Sequence, residues 1–192
     1  MSRTINMILA GIFLILVLPV GLLIGAAICA DSRGPVFYRG LRVGKNGRLF
    51  RMWKFRTMYS DDRGRLTPAE AAEFNIAFKL DNDSRVTRIG RWLRRLSLDE
   101  LPQLVNVLTG DMAFIGPRPK LPEELHLYGS SREELLSVTP GITGYWQVYR
   151  SSARSDATMR KLDLYYVRHK CLRLDAKILM QTVHVLATKT NS

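Results

Sequence analysis

At 192 residues, with a formal charge of +12 and a pI near 10.2, the chain has room for one modest core and a short membrane element, and too little for two independent domains. The charge calls for an anionic partner: nucleic acid, anionic lipid or a phosphorylated small molecule. The two cysteines, Cys29 and Cys171, lie far apart, which argues against a disulfide framework or a cysteine metal site and fits a reducing, cytosol-facing location.

The first element is apolar. From Thr4 to Ala30 no residue is charged and Ile, Leu, Val and Met dominate, long enough to cross the hydrocarbon core as a helix. A cleaved signal peptide is the poorer reading, because the run is long for an h-region and the basic remainder suits cytoplasmic partners. Pro19 predicts a kink or break, since it removes one hydrogen bond and crowds the carbonyl of Ile15. Arg3 precedes the run and Arg33, Arg39, Arg42 and Lys45 follow it, so both flanks favour the cytoplasmic face. A helix that enters, bends and returns satisfies both flanks; a straight span leaves Arg3 outside. The residues alone leave the two open.

Gly34-Pro35-Val36-Phe37-Tyr38 reads as a turn into a short strand. Between Arg33 and Arg65 stand ten Arg or Lys and two acids, Asp61 and Asp62, a density that would hold a surface against anionic headgroups or form a solvated basic face. Thr67-Pro68-Ala69-Glu70 predicts a helix start with Thr67 as N-cap and Glu70 closing a capping box. Ile89, Trp92, Leu93 and Leu96, interleaved with Arg88, Arg91, Arg94 and Arg95, predict an amphipathic helix suited to a membrane interface or to lying over a core. Leu101, Leu104, Val105 and Leu108 predict the next helix, core-facing and stopping at Thr109-Gly110. Leu162, Tyr165, Tyr166 and His169, then Ala176 to Ala187, predict two C-terminal helices whose aromatic and apolar faces leave room for a homodimer. His169 and His184 read as helix-face residues, because neither has an acidic or histidine partner at metal-ligand spacing.

The segment richest in chemistry is Ser97-Leu98-Asp99-Glu100-Leu101-Pro102, which puts two adjacent carboxylates at a helix start. Pro102 is tolerated only in the first turn, which predicts an N-cap close to Asp99, with Ser97 and Glu100 as a competing capping box. Taken alone, Asp99 reads as a cap. Its company changes that reading. Gly116-Pro117-Arg118-Pro119 clamps one arginine between prolines, lowering the entropy lost when a guanidinium grips a phosphate. Lys54-Phe55-Arg56-Thr57-Met58 lies upstream, and Arg150 and Arg154 lie downstream beside Ser151, Ser152 and Ser155. Together these make a diphosphate cradle around a carboxylate. A carboxylate near a helix N-terminus and several arginines stays ionised, so it can attack phosphorus or hold Mg²⁺, and Glu100 can act as base or position the attacking group.

These blocks resemble the bacterial sugar transferase family, the monotopic phosphoglycosyl transferases. The likeness runs over nearly the whole chain: the apolar anchor with its proline, Gly34 to Phe37, Lys54 to Met58, Arg85 to Gly90, Ser97 to Gln103, Asn106 to Leu108, Gly110 to Met112, Gly116 to Pro119, Pro140 to Gly144, Trp146 to Val148 and Leu162 to Tyr166. The resemblance implies a ping-pong reaction in which Asp99 attacks the sugar-bearing phosphate of a UDP-sugar, UMP leaves, and the phosphosugar passes to polyprenyl phosphate. It implies Glu100 as the second member of an Asp-Glu pair, Mg²⁺ held partly by Asp99, and substrate-binding roles for Arg94, Arg118, Arg154 and Lys54 with its neighbour Arg56. It also implies a re-entrant helix entering one leaflet from the cytoplasmic face of the bacterial inner membrane. Departures at Leu18, Gly40-Leu41 and Ser84 touch none of Asp99, Glu100 or Arg118.

The expected fold is therefore α+β and mainly helical: a proline-broken membrane helix over 1–30, then a catalytic domain over 31–192 with interfacial amphipathic helices and a short β element. The rival, a membrane-tethered basic domain binding nucleic acid or lipid by charge alone, gives no reason for an Asp-Glu pair beside Pro102. A lipid acceptor and no nucleic acid are expected.

Overall fold

A computed structural model describes residues 2–60, 83–149 and 156–190. The helix start expected at Thr67 lies outside them. The described chain is mostly helical with a few short strands, an α+β arrangement. In chain order the elements are α1 (Arg3–Asp31), β1 (Phe37–Val43), β2 (Leu49–Phe55), α2 (Arg88–Arg95), α3 (Gln103–Thr109), β3 (Ala113–Ile115), α4 (Arg132–Leu136), β4 (Gly141–Thr143), α5 (Tyr145–Tyr149), α6 (Asp156–His169) and α7 (Leu172–Thr190). Strand β1 pairs with β2, and β3 with β4 in parallel, Ala113 opposite Gly141 and Ile115 opposite Thr143.

Helix α1 stays α-helical through Pro19, so the break expected there is not found. Its most apolar window has a mean hydropathy of 3.0 and is long and apolar enough to cross a membrane. Ile8, Ile15, Leu16, Leu22 and Leu23 are all well exposed, as suits a helix whose solvent is hydrocarbon.

The described residues group into two compact units. One holds Met1–Leu16, Arg39–Trp53 and Pro102–Ser192. In it, buried Asn106 ties α3 to β2: its Oδ1 accepts from the Trp53 amide and its Nδ2 donates to the Arg51 carbonyl, both at 2.9 Å. Ala10, Phe50, Met52, Val107 and Met112 pack around this join. The face of α3 is turned relative to the predicted stripe: Leu104 and Val107 are buried whereas Leu108 is partly exposed, because Asn106 and Val107 are the residues that meet β2 and the core around Phe50 and Met52. Gly110, with φ of +81°, ends α3 as predicted. The two C-terminal helices are also as predicted. Fully buried Tyr166 of α6 donates to Asp175 Oδ1 of α7 at 2.8 Å, while α7 leaves Leu179, Met180 and Val183 exposed.

The other unit holds Val17–Tyr38 and Lys54–Leu101. Its core joins Ile24 and Ile28 of α1 to Phe55 of β2 and Leu93 of α2. The stripe predicted on α2 is divided: Leu93 and Ile89 face this core and Trp92 is 59% exposed. Two side chains satisfy free amides at the α2 start, Thr87 accepting from Gly90 and Asp31 from Ile89, both at 2.9 Å. Gly90 lies against the Thr57 backbone so closely that an added Cβ would stand 2.2 Å from the Thr57 carbonyl oxygen. Gly90→Ala must therefore push α2 off the segment that carries Lys54. A stability loss of about 3 kcal/mol is expected, read as a lower melting temperature in detergent.

Candidate active site

The segment from Lys54 to Met58 sends successive side chains to different tasks. Lys54 Nζ lies 2.7 Å from Glu100 Oε1 and 3.7 Å from Asp99 Oδ2, bridging the carboxylate pair. Phe55 enters the core and stacks on Phe37, centroids 5.4 Å apart. Thr57 exchanges backbone contact with Thr87, whose amide donates to its carbonyl at 3.0 Å, and its Oγ1 accepts from Arg94 Nε at 2.9 Å. Met58 forms an isolated bridge with Val86.

Arg56 does something else. It is 5% exposed, and its guanidinium is spent on backbone. Nη1 donates to the Arg33 carbonyl at 2.5 Å, and Nη2 to the Ser32 carbonyl at 2.7 Å, with longer contacts to Ile28 and Gly34 at 3.5 and 3.4 Å. These carbonyls belong to the last turn of α1 and the loop just after it. The phosphate-binding role expected for Arg56 does not fit a guanidinium whose two terminal nitrogens are given to carbonyls and which is closed off from solvent. A cation here also faces the negative end of the α1 dipole.

The Asp-Glu pair sits in a single 3₁₀ turn, Leu98–Glu100, entered through Ser97 in the left-handed region at φ of +57°. Neither end of this turn has a side-chain cap, and α3 starts after Pro102, again without one. Asp99 is thus no helix cap, and the expected capping box between Ser97 and Glu100 does not form; the left-handed Ser97 turns the chain too sharply for it. Asp99 is 9% exposed. Burial holds its carboxyl above the usual aspartate range, Lys54 pulls it down, Glu100 pushes it up and Arg94 pulls it down. The outcome is a nearly buried carboxylate with cations beside it and no helix to cap, a pattern that marks reactive groups.

Lys54, Arg94, Asp99 and Glu100 are therefore brought together within one unit. Arg118 belongs to the other unit, where it is the only exposed residue between Ile115 and Lys120. Its loop is held by Gly116, which donates to the Thr143 carbonyl at 3.0 Å, and by Pro117, whose carbonyl accepts from Gly141 at 2.9 Å. A Cβ on Gly141 would stand 2.1 Å from the Gly116 nitrogen, so the loop and β4 touch backbone to backbone. Arg154 lies outside the described residues, as do Arg150, Ser151, Ser152 and Ser155. Thr57 and Asp31 are contributors that sequence reasoning missed; each is a short polar residue whose partner is visible only once the chain is folded.

For Mg²⁺, no cluster of three His, Cys, Asp or Glu exists among the described residues. Mg²⁺ is ordinarily bound by one or two carboxylates with substrate phosphates and water completing the shell, and the adjacent carboxylates of Asp99 and Glu100 fit that demand. His169 stacks on Tyr165 at 4.2 Å and contacts the Tyr165 carbonyl, a helix-face residue as expected.

A match to the bacterial sugar transferase family runs over residues 1–189, and the chain belongs to that family. It is 38% identical over 197 residues to the exopolysaccharide production protein ExoY of Rhizobium meliloti, covering all of this chain and 87% of that protein. It is 38% identical over 195 residues to the undecaprenyl-phosphate galactose phosphotransferase of Salmonella typhimurium, covering 97% of this chain and 40% of the relative. An undecaprenyl-phosphate glucose phosphotransferase of Komagataeibacter xylinus is 41% identical over 193 residues, covering 95% of this chain and 35% of the relative. The protein is an enzyme, a phosphoglycosyl transferase, and its exposed apolar α1 gives it a membrane location.

Arg56 offers a test that separates support from substrate binding. Arg56→Met should cost about 3 kcal/mol of stability, because several charge-assisted bonds are lost together, and Arg56→Lys should cost less. Melting in detergent reads this directly. A rise in donor KM at unchanged melting temperature would return Arg56 to the substrate.

Proposed function

We propose that the enzyme transfers a sugar 1-phosphate from a UDP-sugar to undecaprenyl phosphate, releasing UMP, as the initiating step of exopolysaccharide or other glycoconjugate synthesis. The observation that carries this reading is Asp99: nearly buried, uncapped and uncapping, beside Glu100, Lys54 and Arg94. The names of the relatives supply the acceptor, undecaprenyl phosphate, and two donor sugars, galactose and glucose, as chemistry carried out by proteins of the same family.

In the proposed sequence an Asp99 carboxylate oxygen attacks the sugar-bearing phosphorus. The new O–P bond forms as the bond to the bridging oxygen of UMP breaks, and UMP leaves with that electron pair. A phosphate oxygen of the acceptor then attacks the same phosphorus and frees Asp99. Lys54 offsets the charge of the carboxylate pair, which would otherwise repel an incoming diphosphate. Arg94 holds the carboxylate in its charged form, Glu100 orients the attacking group or takes its proton, and Arg118, with Arg154, binds the donor phosphates. Mg²⁺ held by Asp99 and Glu100 would neutralise phosphate charge.

The same proposal places the catalytic residues at the cytoplasmic face of the inner membrane with α1 re-entrant, bent but unbroken at Pro19. Basic residues on both flanks of α1 support it, Arg3 on one side and Arg33, Arg39 and Arg42 on the other. A polyprenyl phosphate stays in the bilayer, so a membrane-held enzyme meets its acceptor where it resides.

Purified enzyme in nanodiscs, offered a panel of UDP-sugars, should release UMP with one or two of them when Mg²⁺ and undecaprenyl phosphate are present. Release from none, with the protein folded, would overturn the donor class. Asp99→Asn should lower turnover by at least about a thousand-fold. It should also melt at or above the wild-type temperature without divalent cations. The sign follows from the raised pKa: above the unfolded value of about 3.9 the charged carboxylate destabilises the fold, and the amide removes that charge. For the same reason the acid limb of the first half-reaction should lie above that value in a pH–rate profile.

A further inference from the structure

In the unit that carries Arg118, one ion pair is sealed from solvent. Lys120 is 2% exposed and Asp163 of α6 is 0% exposed, with Lys120 Nζ 2.8 Å from Asp163 Oδ2. Tyr128, equally buried, donates its hydroxyl to the same Oδ2 at 2.8 Å, and the lysine nitrogen lies 5.3 Å from the Tyr128 ring centroid. Burial, reinforced by the Asp163 charge, raises the Tyr128 hydroxyl far above its ordinary value, so it stays a donor. Asp163 Oδ1 and Lys120 Nζ make no aligned hydrogen bond among the described residues, so the lysine is held by charge pairing with Asp163.

Such a pair is a poor way to gain stability. Taking two charges out of water costs several kcal/mol per ion, and apolar residues of similar volume commonly do as well or better. What the pair supplies is direction, since a buried ammonium and a phenol that both meet one carboxylate oxygen can do so in few geometries. The direction is delivered to one place. Lys120 stands two residues after Arg118, with Pro119 between, and its carbonyl accepts from Val43 at 2.9 Å. Pro117 and Pro119 each fix one backbone torsion, so little freedom remains between the Lys120 anchor and the Arg118 side chain. Upstream, the backbone contact of Gly116 with β4 closes the other end.

We infer that Lys120, Asp163 and Tyr128 form a positioning device for Arg118, holding its loop so that the exposed guanidinium is presented ready to grip the diphosphate of the nucleotide sugar. The inference rests on the donor-binding role proposed for Arg118. None of the three residues touches substrate. Their effect is to remove the ordering entropy that a loose loop would lose on binding.

The test replaces all three together, Lys120→Met, Asp163→Leu and Tyr128→Phe, so that no charge or hydroxyl is left orphaned. Arg118→Ala is measured first and should raise donor KM; unchanged donor KM there would sink the Arg118 assignment itself, independently of the device. The triple variant should melt at or above the wild-type temperature, raise donor KM about ten-fold, and leave kcat and acceptor KM within about two-fold. Adding Arg118→Ala to it should raise donor KM by much less than in wild type, because the two act through one contact. Tyr128→Phe alone keeps the ion pair and the volume, and should raise donor KM a few-fold with the fold intact. Wild-type donor KM in Tyr128→Phe, or in a folded triple variant, while Arg118→Ala raises it, would reduce the cluster to core packing and overturn the inference.

Discussion

The buried Arg56 guanidinium is the contact on which the carboxylate unit depends. A long apolar helix ends with free carbonyls, and where it meets a polar domain they need donors that water cannot always supply. Arg56 supplies two nitrogens to four carbonyls at the end of α1 and in the loop beyond it, and adds a positive charge at the negative end of the helix dipole. Because Lys54, Phe55 and Thr57 flank it on one extended segment, fixing the end of α1 also fixes the lysine that bridges the carboxylates, the ring that fills the core and the threonine that meets α2. Anchor and chemistry share four consecutive residues.

The carboxylate turn shows the opposite economy. Asp99 is buried where its charge is disfavoured, on a turn entered through a non-glycine residue at positive φ, and no cap offsets either cost. Stability alone would select an amide or an apolar residue here. A carboxylate kept in such a place is one whose reactivity matters more than its contribution to folding, and local rules are broken most readily at such sites. Glu100, paired to Lys54 and more exposed, keeps the pair from being two bare charges side by side.

Much of this was legible beforehand. The apolar run, the arginine-edged helix α2, the stop at Gly110, the turn into β1 and the two C-terminal helices follow from periodicity and from glycine and proline chemistry, all of them local signals. The carboxylate pair beside Pro102 drew attention to Asp99 and Glu100, but Asp99 taken alone read as a cap and only its basic company pointed to a nucleophile, because capping depends on where the helix starts and α3 starts after Pro102. The destination of Arg56 was not legible at all: carbonyls carry no side-chain signature, so their claim on a guanidinium cannot be seen in a string of letters. The Lys120–Asp163 pair was hidden for a related reason, since the two residues meet only after the chain has folded back on itself.

These two cations also refine what a charge of +12 means. Composition treats every Lys and Arg as available to an anionic partner. Burial does not, because a cation taken out of water must be satisfied by the protein's own carboxylates or carbonyls, and one so satisfied has little left for a phosphate. Arg56 and Lys120 are both inside and both committed, one to backbone and one to Asp163. Lys54, Arg94 and Arg118 keep solvent contact, and so retain hydrogen-bonding capacity for a ligand. The basic residues of the chain thus divide by solvation into those that hold the scaffold and those that meet substrate, and the first group gives the second its fixed geometry.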